Sequence, residues 1–195
     1  MNPHELGLLD AARAISRKEL SPVDLVDALL DRATKVDGPI QAWALLDRDG
    51  ARAAARQAAD DLARGLLRGH LRGVPFGAKD IFYSAGLRTE GGSKVMAGFV
   101  PAYDATSVAK LKAAGGILLG KLHTTEFATN DPAPTRNPLN LACTPGGSSP
   151  STGNDATSAI QPATLSMGSF SACARTAPNR RSASARSPAA YSARR

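Results

Sequence analysis

Segments with helical spacing alternate with short apolar runs along the first three quarters of this chain, and few architectures accept that pattern. From Glu5 to about Arg17, Leu6, Leu9, Ala12 and Ile15 recur near helical spacing. Ser21-Pro22 opens a second helix, with serine as cap and proline at the first helical position. Its apolar face reads Val23, Val26, Leu29, Leu30 and Ala33, and Gly38-Pro39 predicts its end. Residues 40–46 read as a short strand, and the Ala-rich stretch from Gly50 to about Arg68 as a helix weakened at Gly65. Between Leu71 and Phe82, Gly and Pro punctuate an apolar run, the pattern of a strand leaving into a loop. Asp104 to Ala114 is amphipathic and ends at Gly115-Gly116. Ile117 to Gly120 reads as a buried strand of four residues, and Thr124 to Thr129 as a short helix. From Asp131 to Ser151, Pro, Gly, Asn and Ser dominate, which predicts loop. The alternation predicts an α/β fold with a parallel or mixed sheet flanked by helices, and no internal repeat is present.

Composition narrows the class further. Hydrophobic residues make up 43% and charged residues 21%, the range of an ordinary globular protein. No run approaches the roughly 20 apolar residues of a membrane span. The start, MNPHELGLLD, lacks a basic region followed by an apolar core, which points to a cytoplasmic protein. Two cysteines, Cys143 and Cys173, are too few for a disulfide framework. The net charge of +7 is unevenly spread: residues 1–149 hold 18 basic and 16 acidic side chains, whereas 150–195 hold six arginines and one acid, Asp155. A basic field is therefore absent from the first 149 residues, which argues against a nucleic-acid partner. The arginines of 175–195 leave open a basic-tailed binding protein, whose nucleic-acid affinity would fall with salt.

The chain thus divides at residue 149. Residues 150–195 contain 11 Ala, 9 Ser and 6 Arg, with Phe170 and Tyr191 as the only aromatics. Such a composition buries too little apolar surface to offset an ordering cost of about 1–2 kcal/mol per residue, so disorder is expected there. A natural tail and a slipped reading frame in a GC-rich gene both fit, and the abruptness of the change favours the slipped frame.

Two features carry chemistry. Lys79 ends an apolar strand; loss of water there lowers an amine's pKa, and a neutral lysine accepts a proton. A solvated lysine, or one paired with Asp80, is the ordinary alternative. The second is Cys143-Thr144-Pro145-Gly146-Gly147-Ser148-Ser149, where two glycines permit backbone shapes closed to other residues. A Gly/Ser linker is the ordinary alternative there. Other candidates read as structural. His123 has no His or Cys at ligand spacing, so no metal site is expected. Cys143 reads as a small buried thiol, His4 and His70 as surface residues, and Arg136-Asn137-Pro138 as a brace for the loop carrying Ser148.

Taken together, these pieces resemble the amidase signature family of serine hydrolases. The resemblance runs from near Glu5 to about Ser149. It includes Glu19-Leu20-Ser21-Pro22-Val23-Asp24-Leu25, Trp43, and Gly73-Val74-Pro75-Phe76-Gly77-Ala78-Lys79-Asp80. Tyr103-Asp104-Ala105-Thr106, Ala113 to Lys121, Thr125-Glu126-Phe127-Ala128, Pro134 to Pro138 and Thr144 to Ser149 follow in order. The resemblance implies the N-terminal portion of an amidase signature fold and hydrolysis of a carboxylic amide to acid and ammonia or amine. It implies no metal and no organic cofactor, and a small amide as substrate.

The family's Ser–cis-Ser–Lys triad places its lysine at Lys79 and its bridging serine at Ser148. Neutral Lys79 would take a proton from Ser148, and Ser148 one from a nucleophilic serine that attacks the amide carbonyl. Backbone N–H groups just before that nucleophile would hold the oxyanion. The nucleophile's Gly-Gly-Ser motif, followed by Arg and Pro, falls near 172–176, where this chain reads Ala172-Cys173-Ala174-Arg175-Thr176. Ser169 and Ser171 lack the preceding glycines, so a truncated, inactive chain is expected. Gly91 to Met96 would line the acyl pocket by the same resemblance. A glutaminase subunit of a tRNA-dependent amidotransferase is the alternative within the family, although Asn130-Asp131-Pro132-Ala133-Pro134 looks more like the free-standing amidases.

Overall fold

A computed structural model describes residues 2–67, 69–129, 131–145 and 147, together with the backbone of 174–175. Four helices and a mixed three-stranded sheet form its body. The order is α1 (Leu8–Ser16), α2 (Pro22–Ile40), β1 (Trp43–Leu46), α3 (Arg48–Ala63), β2 (Pro75–Lys79), α4 (Thr106–Ala113) and β3 (Ile117–Leu122). A short pair, β4 (Cys143–Thr144) and β5 (Ala174–Arg175), runs antiparallel beyond it. No helix among the described residues is long and apolar enough to cross a membrane.

The sheet order is β1-β3-β2, with β3 antiparallel to β1 and parallel to β2. The α/β class and mixed sheet expected from the alternation are present. On one face Val74, Ile117 and Leu119 join Ile15 of α1, Leu25, Val26, Leu29 and Leu30 of α2, and Ala51, Ala55 and Ala58 of α3. On the other face Phe76, Ala78 and Leu118 pack on Val108 of α4. Alanines on α3 let its backbone approach closely, and α2 supplies the bulk.

Local chemistry sets most helix ends. The Ser21 hydroxyl accepts the Val23 N–H at 3.1 Å, and the Asp47 carboxylate accepts that of Gly50 at 3.1 Å. Helix α3 stops at Ala63, before Gly65 turns with φ +70°. The first helix starts later than its periodicity predicts, at Leu8, because Pro3–Glu5 forms a separate 3₁₀ turn and Gly7 is extended. Leu9, expected on the apolar face, is 65% exposed; Ala11 takes its place in the core.

Further expected boundaries move: α3 ends at Ala63 and not near Arg68, and β1 begins at Trp43 and not at Ile40. Helix α2 does not stop before Gly38-Pro39 but runs to Ile40. Proline in the last turn removes one hydrogen bond. Gln41 compensates in the left-handed region, its N–H on the Asp37 carbonyl at 2.7 Å, while the Asp37 carboxylate takes the Ala42 N–H at 2.7 Å. The carbonyls of Ile40 and Gln41 accept from the Arg136 N–H and the Thr135 hydroxyl. Strand β3 likewise runs two residues past Gly120, because Lys121 is buried rather than leaving for water.

A register shift decides which way Lys121 faces. Phe76 pairs with Leu118, but Gly77 pairs with Gly120, so β3 carries one extra residue, Leu119. A one-residue insertion turns every later side chain to the opposite face. Lys121 therefore sits beside Ala78, on the α4 side. Gly120 is obligatory at this crossing, since a Cβ there would lie 2.1 Å from the Leu45 carbonyl oxygen.

Candidate active site

The end of β2 presents adjacent residues to opposite faces. Lys79, two residues after Gly77, lies on the face that carries Trp43 and Leu122, while Asp80 lies on the other. Lys79 is half-buried, and burial holds its amine below the usual lysine range. Ser148 lies outside the described residues, as do Ser169 and Ser171. The segment leading to Ser148 is described as far as Pro145 and at Gly147. The Asn137 N–H meets the Cys143 carbonyl at 2.9 Å, and the Asn137 side chain accepts the Leu139 N–H at 2.9 Å. With Thr135 and Arg136 held on the end of α2, this ties residues 135–143 to the helical layer. Cys143 is buried but disulfide-bonded, which corrects the expectation of a free thiol.

Asp80 is 4% exposed and Lys121 is fully buried. The Lys121 ammonium donates to the Phe82 carbonyl and to the Thr89 hydroxyl at 2.8 Å, and stands 3.8 Å from the Asp80 carboxylate. Burial lowers its pKa to about 8 against the attraction of Asp80. Burial raises the Asp80 pKa, opposed by N–H groups of Glu90 and Gly92 and by Lys121. The pair is not among the site residues to which the sequence points. Its one signal is a lysine set between leucines in a buried run, Ile117-Leu118-Leu119-Gly120-Lys121-Leu122.

A cavity of about 570 Å³ opens on the Asp80 side. Asp80, Arg88, Gly92, Ser93, His123 and Glu126 are among its walls, and Lys79 is not. Of the expected acyl-pocket segment, Gly92, Ser93 and Lys94 line it. Gly92 has φ +67°, and a Cβ there would lie 2.6 Å from the Thr124 carbonyl oxygen. The Ser93 hydroxyl donates to Glu126 at 2.5 Å, and the Phe127 N–H to the Gly91 carbonyl at 2.8 Å. The 91–93 and 126–127 segments are thereby stitched together. Among the described residues no group of three or more His, Cys, Asp or Glu side chains is arranged to hold a metal.

His123 is half-buried, and burial lowers its pKa despite Asp80 and Asp37; Arg88 acts in the same direction as burial. Below about pH 6.5 the unfolded chain binds a proton that the folded chain refuses, so stability falls with falling pH. His123→Gln is expected to flatten that fall between pH 7 and 5.5. Chemical-denaturation midpoints of both proteins across the window check it; parallel curves would contradict it.

A family model described as Amidase matches residues 24–171. That span reaches past Ser149, where the sequence resemblance ends. The chain is 44% identical over 168 residues to a subunit of the glutamyl-tRNA(Gln) amidotransferase of Roseiflexus sp. (strain RS-1), covering 83% of this chain and 34% of the relative. It is 43% identical over 160 residues to the corresponding subunit from Geobacter metallireducens, covering 79% and 32%. The fold is similar to the peptide amidase of Stenotrophomonas maltophilia (TM-score 0.71, 31% identity, 76% of this chain and 33% of that one). It is also similar to a bacterial aryl acylamidase of the amidase signature family (TM-score 0.71, 26% identity, 78% and 33%). The chain spans about a third of the length of the curated relatives it matches. With the family model covering most of its residues and the sheet matching solved amidases, this chain belongs to the amidase signature family.

Proposed function

We propose that residues 1–149 are the N-terminal part of an amidase domain that contributes Lys79 and Ser148 to a Ser–cis-Ser–Lys centre. Residues 150–195 are then a tail without the nucleophile. The supporting observation is Lys79 at the end of a buried strand, its amine shifted toward the neutral form by loss of water. A neutral amine accepts the Ser148 proton, and Ser148 takes that of the nucleophile as it attacks the amide carbonyl. Water then hydrolyses the acyl-enzyme. Segment 92–94, which lines the cavity, is the candidate wall for the acyl group.

On this reading the 195-residue chain hydrolyses no amide. Joining residues 1–149 to the remaining two thirds of a curated relative is expected to restore hydrolysis. Lys79→Ala in that fusion is expected to reduce kcat by on the order of ten-thousandfold, as for members of other nucleophilic triads. A fusion indifferent to Lys79, or turnover by the 195-residue chain that Ser148→Ala abolishes, would refute one half of the reading each. The names of the curated relatives favour a second reading, the glutaminase subunit of a tRNA-dependent amidotransferase. Preference of the fusion for glutamine over simple aryl and alkyl amides would select it.

A further inference from the structure

We propose that Lys121 and Asp80 are a positioning pair for the Lys79 amine, holding the end of β2 and segment 89–92 in one arrangement. The proposal rests on the reading of Lys79 as the proton-accepting lysine. Residue 80 is held at every polar group. Its N–H donates to the Leu122 carbonyl at 2.9 Å, and its carbonyl accepts from Gly91 at 3.2 Å. Its carboxylate accepts from the Glu90 N–H at 3.0 Å and faces Lys121 at 3.8 Å. Lys121 in turn spans Phe82, two residues past Asp80, and Thr89, whose hydroxyl donates to the Leu87 carbonyl at 3.1 Å. Asp104, Glu90 and His123 are titratable groups that also interact with the pair.

Adjacent strand residues share a peptide plane and point to opposite faces, so a clamp on Asp80 sets the direction of Lys79. A misplacement of about 1 Å in such a group costs orders of magnitude in rate. An apolar side chain at 121 would continue β3 as Ile-Leu-Leu-Gly-Xaa-Leu, but it would strand the buried Asp80 carboxylate without its counter-charge, which is strongly destabilising. What an apolar residue cannot do is reach Asp80, Phe82 and Thr89 together.

Trace acetylation of the 195-residue chain with acetic anhydride from about pH 6 to 11, read by peptide mass spectrometry, gives each lysine's titration without requiring turnover. Wild-type Lys79 is expected to titrate below the usual lysine range. In Lys121→Met, Lys79 labelling at about pH 8 is expected to drop about threefold or more, as its amine regains water and its pKa rises toward the ordinary lysine value. Thr89→Val, which removes one acceptor and keeps the shape, is expected to give the same direction and decides the matter if Lys121→Met does not fold. A folded variant in which Lys79 keeps its wild-type profile would leave the pair merely structural and overturn the proposal. So would a wild-type Lys79 that titrates in the usual lysine range. Failure of the fusion enzyme to need Lys79 would instead remove the catalytic reading and leave the labelling result intact.

Discussion

Asp80→Ala is expected to cost about 3–5 kcal/mol at pH 7, measured by urea unfolding, because it strands a buried ammonium without its counter-charge. Lys121 is fully buried, and Asp80 is the main group opposing the effect of its burial. Alanine also leaves the N–H groups of Glu90 and Gly92 without their carboxylate acceptor. The loss has a predictable pH dependence. With Asp80 gone, the Lys121 pKa in the folded state falls further below the value of an unfolded lysine. The unfolded chain then binds more protons than the folded one between those values, so the variant gains stability as pH rises. The gap to wild type should be widest near pH 7 and narrow by about pH 9.5, where Lys121 is neutral in both proteins. A gap that widens with pH would show that the Asp80 carboxylate matters for its N–H contacts and not for Lys121.

Leu30→Ala is expected to cost about 2–5 kcal/mol, the transfer term plus a cavity that the neighbours only partly refill. Leu30 is 0% exposed in the cluster that joins α1, α2 and α3 to the sheet. Leu9→Ala is the matched control. It belongs to the apolar periodicity of the first helix, as Leu30 does to that of the second, but Leu9 is 65% exposed, and a change within about ±0.5 kcal/mol is expected. Similar losses at both positions would mean that α1 packs through Leu9 and that the assigned core is wrong.

How much is legible varies from segment to segment for physical reasons. The start of α2 is plain because Ser21-Pro22 acts within one turn: the hydroxyl meets an N–H two residues on. Its end is not, because what carries the helix through Pro39 lies elsewhere, in the contacts of Thr135 and Arg136 with carbonyls 40 and 41. Lys79 stands out because its place after an apolar, Gly/Pro-punctuated run is a local fact. Asp80 and Lys121 do not, since they are 41 positions apart and meet only across paired strands. The cavity has the same origin: its walls come from the ends of β2 and β3 and from the loops that follow them.

The order and kind of α1 to α4 and β1 to β3, the α/β class and the position of Lys79 at a strand end follow from the sequence alone, because spacing and capping act over a few residues; β4 at Cys143–Thr144, inside a segment expected to be loop, does not. The direction of Lys121, its pairing with Asp80 and the cavity above them were decided by tertiary structure. One extra residue in β3, visible only against its neighbour β2, turns that lysine from the face packed on α2 and α3 to the α4 side, where Asp80 lies. Register and desolvation are properties of elements in contact, and no local pattern encodes them.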